Sequence, residues 1–181
     1  AIDKSVVVVS AIGGITDKDI QEKQLTTLGQ NITALEVDGV FDDCQDMVKK
    51  AFVDKTLTSK MRLTSANSIN VARWLPQLLY FMFAYKQLKS KYKNIVFSVP
   101  SGNFGNICAG MVAQKLGLPV KRFIASNNAN NVVTNYLETK NYHPKVSVQT
   151  ISNAMDVGNP SNFIRIKELH NGNFEDLKKN L

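Results

Sequence analysis

Two glycines set among short polar residues occur at Pro100-Ser101-Gly102-Asn103-Phe104-Gly105-Asn106, between a strand-like run at 95–99 and a helix-like run at 107–116. A strand-to-helix turn of this composition is suited to a phosphate. Glycine lets backbone approach an anion closely, and the following helix offers unpaired N–H groups and a partial positive charge at its N-terminus. Ser101, Asn103 and Asn106 add side chains able to bond phosphate oxygens. The segment carries no charged residue, so recognition would rest on dipoles. It lacks the Gly-Lys-Ser/Thr of a P-loop, and its glycines are spaced G-x-x-G rather than G-x-G-x-x-G. The same residues also describe a tight βα turn in which Gly105 allows close packing.

A second constellation is Ser65-Ala66-Asn67-Ser68-Ile69-Asn70-Val71-Ala72-Arg73. Amide and guanidinium donors at a helix start can hold one anion, with arginine offering a bidentate fork. Asn67 and Arg73 are six positions apart, so they share a ligand only if Asn67 lies in the loop entering the helix. The other reading is an Asn or Ser cap followed by a surface arginine. The polar stretch 150–162 either lines a site or connects elements. His143 and His170 have no Cys, His or carboxylate at metal spacing and read as surface or structural; no metal is expected. Cys44 and Cys108 lack a nearby His and read as packing residues, and Asp42-Asp43 as a helix cap.

The elements that must position these residues alternate. The β-branched run 6–9 is a strand of the kind covered on both faces, broken by Gly13-Gly14. Thr16-Asp17-Lys18-Asp19 has the form of a capping box, opening a helix to Leu28 with Gly29 just beyond it. Residues 32–37 form the next strand, and Asp42 with Gln45 caps a helix bearing Cys44, Met47, Val48, Ala51 and Phe52 on one face. The polar stretch 55–61 reads as a hinge. Helices follow at 68–75 and 76–88, the second opened by Pro76 and apolar nearly all round at 78–83, hence expected to be buried. Strands at 95–99 and 120–125 and helices at 107–116, 132–137 and 163–169 complete an α/β pattern with a parallel sheet and flanking helices.

Composition narrows the class. The 181 residues are 44% hydrophobic and 20% charged, ordinary for a globular chain. The longest apolar stretch, 74–85, contains Pro76 and Gln77 and is 12 residues long, whereas a bilayer span needs about 20; no membrane association is expected. Twenty-two basic against 15 acidic residues give a formal charge of +7, compatible with nucleic acid or with small anionic substrates. The basic residues are scattered, and the densest run, 86–93, fits the solvated end of a helix. Two cysteines suit a cytoplasmic protein. A chain opening on a buried-type strand reads as a piece of something larger.

Taken together, Ile20-Gln21-Glu22-Lys23-Gln24-Leu25-Thr26-Thr27-Leu28-Gly29, Gly39-Val40-Phe41-Asp42-Asp43-Cys44-Gln45, Asn67-Ser68-Ile69-Asn70 with Arg73, Pro100 to Asn106, and Ser152-Asn153-Ala154-Met155-Asp156 resemble the threonine synthase family, in its order and over nearly the whole chain. The resemblance implies the fold type II architecture of pyridoxal-phosphate enzymes (similar to the tryptophan synthase β subunit), in which two α/β domains enclose the cofactor. It implies that 1–60 belong to the smaller domain and 61–181 to the larger. It implies that Gly102, Asn103, Phe104, Gly105 and Asn106 hold the phosphate of pyridoxal 5′-phosphate, and that Asn67, Arg73 and Asn106 bind the phosphate of O-phosphohomoserine. The reaction implied is the lyase step of threonine biosynthesis, in which O-phosphohomoserine and water give threonine and phosphate.

Two departures set an expectation. The family's cofactor-bonding lysine sits in a Phe-Lys-Asp motif, and its Ser-Gly-Asp-Thr-Gly loop also meets substrate; neither occurs in these 181 residues. The chain is therefore expected to be the middle of the enzyme, partnered by the remainder of its own polypeptide and inactive alone, with its catalytic residue unknown. The alternative expectation is a non-catalytic phosphate- or nucleic-acid-binding module. Against nucleic acid stands the absence of Lys or Arg from the glycine turn.

Overall fold

A computed structural model describes residues 6–11 and 31–181. The expected glycine break, capping box and helix at 13–29, and the resemblance segment 20–29, lie outside the described residues. The chain divides into two compact units, one comprising Ala1–Leu63 with Gln149–Ala154, the other Thr64–Val148 with Met155–Leu181.

In the first unit, strands β1 (Val6–Ala11) and β2 (Ile32–Val37) pair in parallel from Val6 opposite Ile32 to Ala11 opposite Val37. Helix α1 (Phe41–Val53) buries Cys44 and Gln45. Its cap differs from the expected Asp42 and Gln45. Val40 is the N-cap, and Asp43, three positions on, accepts the Val40 N–H at 2.8 Å, half of a capping box made without a capping hydroxyl. Burial holds the Asp42 carboxyl above its ordinary range, with Lys49 opposing the shift. The expected hinge is in part ordered. Asp54 accepts the N–H groups of Thr56 and Leu57 at 2.7 and 3.1 Å and starts the one-turn helix α2 (Lys55–Thr58).

The second unit begins with a loop rather than with the helix expected from Ser68. Asn70 sets the start: its Oδ1 accepts the Ala72 N–H at 3.1 Å, while its Nδ2 donates to Thr64 Oγ1 and Ser65 O. Helix α3 is thus confined to Val71–Trp74, and a 3-10 turn, Leu75–Gln77, carries Pro76 into α4 (Leu78–Leu88). Helix α4 was expected to be buried all round and is not. Phe81 is buried, whereas Leu79, Tyr80 and Phe83 are 47%, 72% and 60% exposed. The helix lays one face on its neighbours, with Phe81 edge-on to Phe97 and Phe123 at 5.1 and 5.7 Å. Lys86, Lys89, Lys91 and Lys93 at its C-terminal end are exposed.

Strands β3 (Val96–Pro100) and β4 (Arg122–Ser126) pair in parallel, joined through helix α5 (Gly105–Lys115). The helix buried on all sides is α5: Ile107, Cys108, Ala109, Met111 and Ala113 are each fully buried, as an apolar helix at a core centre should be. A β-carbon at Gly110 would stand 2.6 Å from the Phe123 ring, so glycine lets α5 lie flat on β4. Helices α6 (Val132–Thr139), α7 (Phe163–Leu169) and α8 (Phe174–Asn180) complete the unit. Phe163 packs edge-on to Phe104 at 5.7 Å and to Tyr136 at 5.4 Å. His143 is exposed and His170 is buried, its Nδ1 2.9 Å from Ile166 O. Among the described residues no helix is long and apolar enough to cross a membrane, and no group of His, Cys, Asp or Glu has metal-site geometry.

Candidate functional site: a glycine turn at a helix N-terminus

The turn 101–104 links β3 to α5, and its shape is over-determined. The Ser101 N–H donates to Ser126 O at 2.9 Å, extending the strand pairing by one residue. Asn127 Nδ2 donates to Ser101 O at 2.8 Å, and Thr134 Oγ1 in turn holds Asn127 Oδ1 at 3.0 Å. Phe104 is the N-cap of α5 in the left-handed region (φ 61°, ψ 11°) with its ring only 1% exposed. That conformation costs a non-glycine residue about 1–2 kcal/mol, offset by burial of the ring against Phe163. A β-carbon on Gly102 would lie 2.8 Å from Met155 Cα, and one on Gly105 3.2 Å from Ser68 Cβ. Close approach requires glycine at 102, and at 105 it leaves little room for a side chain.

The polar side chains of the turn, expected as phosphate ligands, each also bond within the protein. Ser101 Oγ donates to Val99 O at 2.9 Å. Asn103 Nδ2 donates to Ser68 Oγ at 2.9 Å, and Asn103 Oδ1 accepts from the Ser161 N–H and Oγ at 2.6 and 2.9 Å. Asn106 Nδ2 donates to Pro100 O at 2.7 Å and Asn106 Oδ1 accepts the Ile107 N–H at 2.8 Å, leaving one amide hydrogen of Asn106 for a ligand. The backbone offers further donors. Among the described residues, the N–H groups of Gly102, Asn103, Phe104, Gly105 and Asn106 have no protein acceptor. Five amides without an acceptor among the described residues, at the N-terminus of an 11-residue helix, have the donor character an anion cradle needs.

Asn67 lies in the loop entering α3, the condition for sharing a ligand with Arg73. Successive turns run through it: the Asn70 N–H donates to Asn67 O and the Arg73 N–H to Asn70 O, each at 3.0 Å. Asn67 Oδ1 accepts from Ser68 Oγ at 3.3 Å. Among the described residues, Asn67 Nδ2 and the exposed Arg73 guanidinium have no protein partner. Ser68 ties this loop to the turn, since its Oγ accepts from both Asn103 Nδ2 and Asn162 Nδ2, the latter at 3.1 Å.

Sequence reasoning missed Asn127 and Arg165 and left Ser161 and Asn162 unassigned; the bonds that bring them to the site span 26 to 97 positions. It treated 150–162 as a loop of undecided role. Met155 and Asp156 of that stretch belong to the second unit, where buried Asp156 Oδ1 accepts Asn128 Nδ2 and Asn130 Nδ2 at 2.7 and 3.0 Å.

Cys108, one turn into α5, has its thiol pushed up to about 11 by burial, with Arg165 opposing the shift. At pH 8 almost none is thiolate. In the native protein Cys108 is expected to react with a disulfide reagent at least about a hundredfold more slowly than an exposed cysteine. Peptide mapping of the labelled protein checks this, and rapid native labelling of Cys108 would contradict the buried placement of α5.

No protein-family model matches the sequence. The curated threonine synthase of Haemophilus influenzae is 52% identical over 159 residues, covering 87% of this chain and 37% of that protein. The crystal structure of threonine synthase from Escherichia coli superposes with a TM-score of 0.84 at 46% identity, over 93% of this chain and 39% of that one. The threonine synthase from Brucella melitensis, solved with pyridoxal phosphate bound, gives a TM-score of 0.75 at 35% identity, over 96% and 38%. The chain thus spans under two-fifths of the length of the relatives it matches. Along nearly nine-tenths of its own length, it is a homologue of the threonine synthases.

Proposed function

We propose that this chain is the phosphate-binding portion of a pyridoxal-phosphate-dependent threonine synthase, a lyase whose complete polypeptide converts O-phosphohomoserine and water to threonine and phosphate. The observation that carries the proposal is the set of five amides at 102–106 that have no partner among the described residues, in a homologue of enzymes one of which was solved with pyridoxal phosphate bound. The cradle fits that cofactor's phosphate: it is uncharged, rigidly held and dipolar. When bound, pyridoxal phosphate supplies an electron sink for chemistry at the substrate's carbon atoms.

In this reading Gly102, Asn103, Phe104, Gly105 and Asn106 grip the cofactor phosphate through their N–H groups. Asn67 Nδ2, the Arg73 guanidinium and the remaining amide hydrogen of Asn106 take the phosphate of O-phosphohomoserine. Arg73 would hold that group before the C–O bond breaks and compensate its charge as it leaves. We assign residues 1–60 to the smaller α/β domain of a fold type II enzyme and 61–181 to the larger. The remainder of the polypeptide would supply the Phe-Lys-Asp lysine, which these 181 residues lack. The free, buried Cys44 and Cys108 fit a cytoplasmic setting. Small anions rather than nucleic acid are the ligands, because the turn is uncharged.

The test is an assay of the complete, cofactor-loaded polypeptide on O-phosphohomoserine. Threonine and inorganic phosphate are expected in equal amounts, with neither formed by residues 1–181 alone. Failure of the complete enzyme to form threonine overturns the proposal.

A further inference from the structure

Resting on that reading, we propose that Arg165 is a positioning residue, which from α7 fixes the loop 65–70 that carries Asn67 and leads into Arg73. Arg165 is half-buried and, among the described residues, has no carboxylate partner. Both terminal nitrogens of its guanidinium donate to neutral oxygens. Nη1 donates to Ser68 O at 3.1 Å and to Asn162 Oδ1, and Nη2 donates to Ile69 O at 2.6 Å. The guanidinium also lies over the Trp74 ring, 5.9 Å from its centroid.

Two consecutive carbonyls held by one planar group fix the orientation of the peptide between them. A lysine, with one compact ammonium, has no fork to do this. The second donor set comes from the same element: Asn162, fully buried at the N-cap of α7, donates to Ser68 Oγ, the atom that also accepts from Asn103 of the glycine turn. The loop 65–70 has no strand or helix of its own; Asn70 ties it internally, and the bonds from Arg165 and Asn162 fix it to α7. Arg165 touches neither proposed ligand donor. It acts by holding the backbone between them, so that its loss displaces the donors that position the ligand.

The experiment compares the complete wild-type enzyme with Arg165→Lys and Arg165→Ala, measuring steady-state kinetics on O-phosphohomoserine, the absorbance of bound pyridoxal phosphate, and amide hydrogen exchange by mass spectrometry. The lysine variant is expected to raise KM at least about tenfold with kcat changed less than threefold, to keep its cofactor absorbance, and to speed exchange in the peptide spanning 65–73 while β3 and β4 stay protected. Added guanidinium ion is expected to lower the KM of the alanine variant again. Should the alanine variant fail to fold, the lysine variant decides alone. Unchanged KM and unchanged exchange at 65–73 overturn the proposal, as does a lowered melting temperature with KM intact, which marks a purely structural role. Wild-type enzyme inert toward O-phosphohomoserine overturns the function proposed above, and the exchange data still decide whether Arg165 holds the loop.

Discussion

Gly102→Ala in the complete enzyme is expected to weaken pyridoxal-phosphate binding by roughly 5- to 150-fold. The new methyl carbon would stand 2.8 Å from Met155 Cα, 3.1 Å from Met155 O and 3.2 Å from Met155 C. All three are backbone atoms, with no flexible side chain to swing aside. One of the two segments must move, and overpacking of this kind costs about 1–3 kcal/mol, the free-energy equivalent of that range in affinity. The turn is the segment expected to yield. Met155 is followed directly by Asp156, which Asn128 and Asn130 hold, and the turn begins at Ser101, pinned to Ser126 and Asn127. Asn103 is anchored through its side chain, at Ser68 and Ser161, so the shift is expected in the backbone at Gly102 and Asn103, which supplies the first amides of the cradle.

Fluorescence titration of the apo-enzyme with pyridoxal phosphate, run well below the melting temperature, measures the effect. An affinity equal to that of wild type would show that the amides at 102 and 103 do not hold the phosphate. Some loss of thermal stability is expected alongside, and it does not bear on the affinity reading while the protein stays folded at the assay temperature.

What the sequence disclosed was local. The runs 32–37 and 163–169 coincide with their strand and helix because hydrophobic period and flanking polar residues agree there. Where side chains compete with the backbone, local reading failed. The helix expected from Ser68 begins at Val71 because the Asn70 side chain takes the capping position and ties the preceding residues into a loop. Helix α4 shows the limit of composition, since its apolar surround implied burial but only the Phe81 face is covered among the described residues. Helix α8 was legible and passed over. Gly172, with φ 69°, is followed by Asn173, whose side chain accepts the Asp176 N–H at 3.0 Å, a turn and cap with acids in the first helical turn.

The candidate site divides in the same way. The glycine turn and its helix are contiguous in sequence, so their suitability for an anion could be read from the residues alone. That the Asn103 side chain would be tied into the protein could not, because its partners Ser68 and Ser161 stand 35 and 58 positions away. Only tertiary structure shows how much of the binding is left to backbone amides.

Arg73→Ala is the second large effect and tests the other anion position. Arg73 is exposed, and among the described residues it makes neither an ion pair nor a hydrogen bond through its side chain. Its removal should therefore change stability by no more than about 0.5 kcal/mol. If it grips the substrate phosphate, it contributes through charge-assisted hydrogen bonds, each about 1.5–3 kcal/mol. Loss of one such bond raises KM roughly 10- to 150-fold, and loss of a bidentate pair raises it further. Arg73→Lys is expected to recover part of this, since a point charge remains but the fork does not. Pyridoxal-phosphate affinity should stay unchanged in both variants, because the cradle at 102–106 draws on backbone amides alone. The effect should also weaken for wild type as salt rises, since an exposed charge is screened. Parallel measurement of KM and cofactor affinity separates the two anion positions. A KM equal to that of wild type removes Arg73 from the substrate site, and a parallel fall in cofactor affinity would mean that one anion position, not two, is built from these residues.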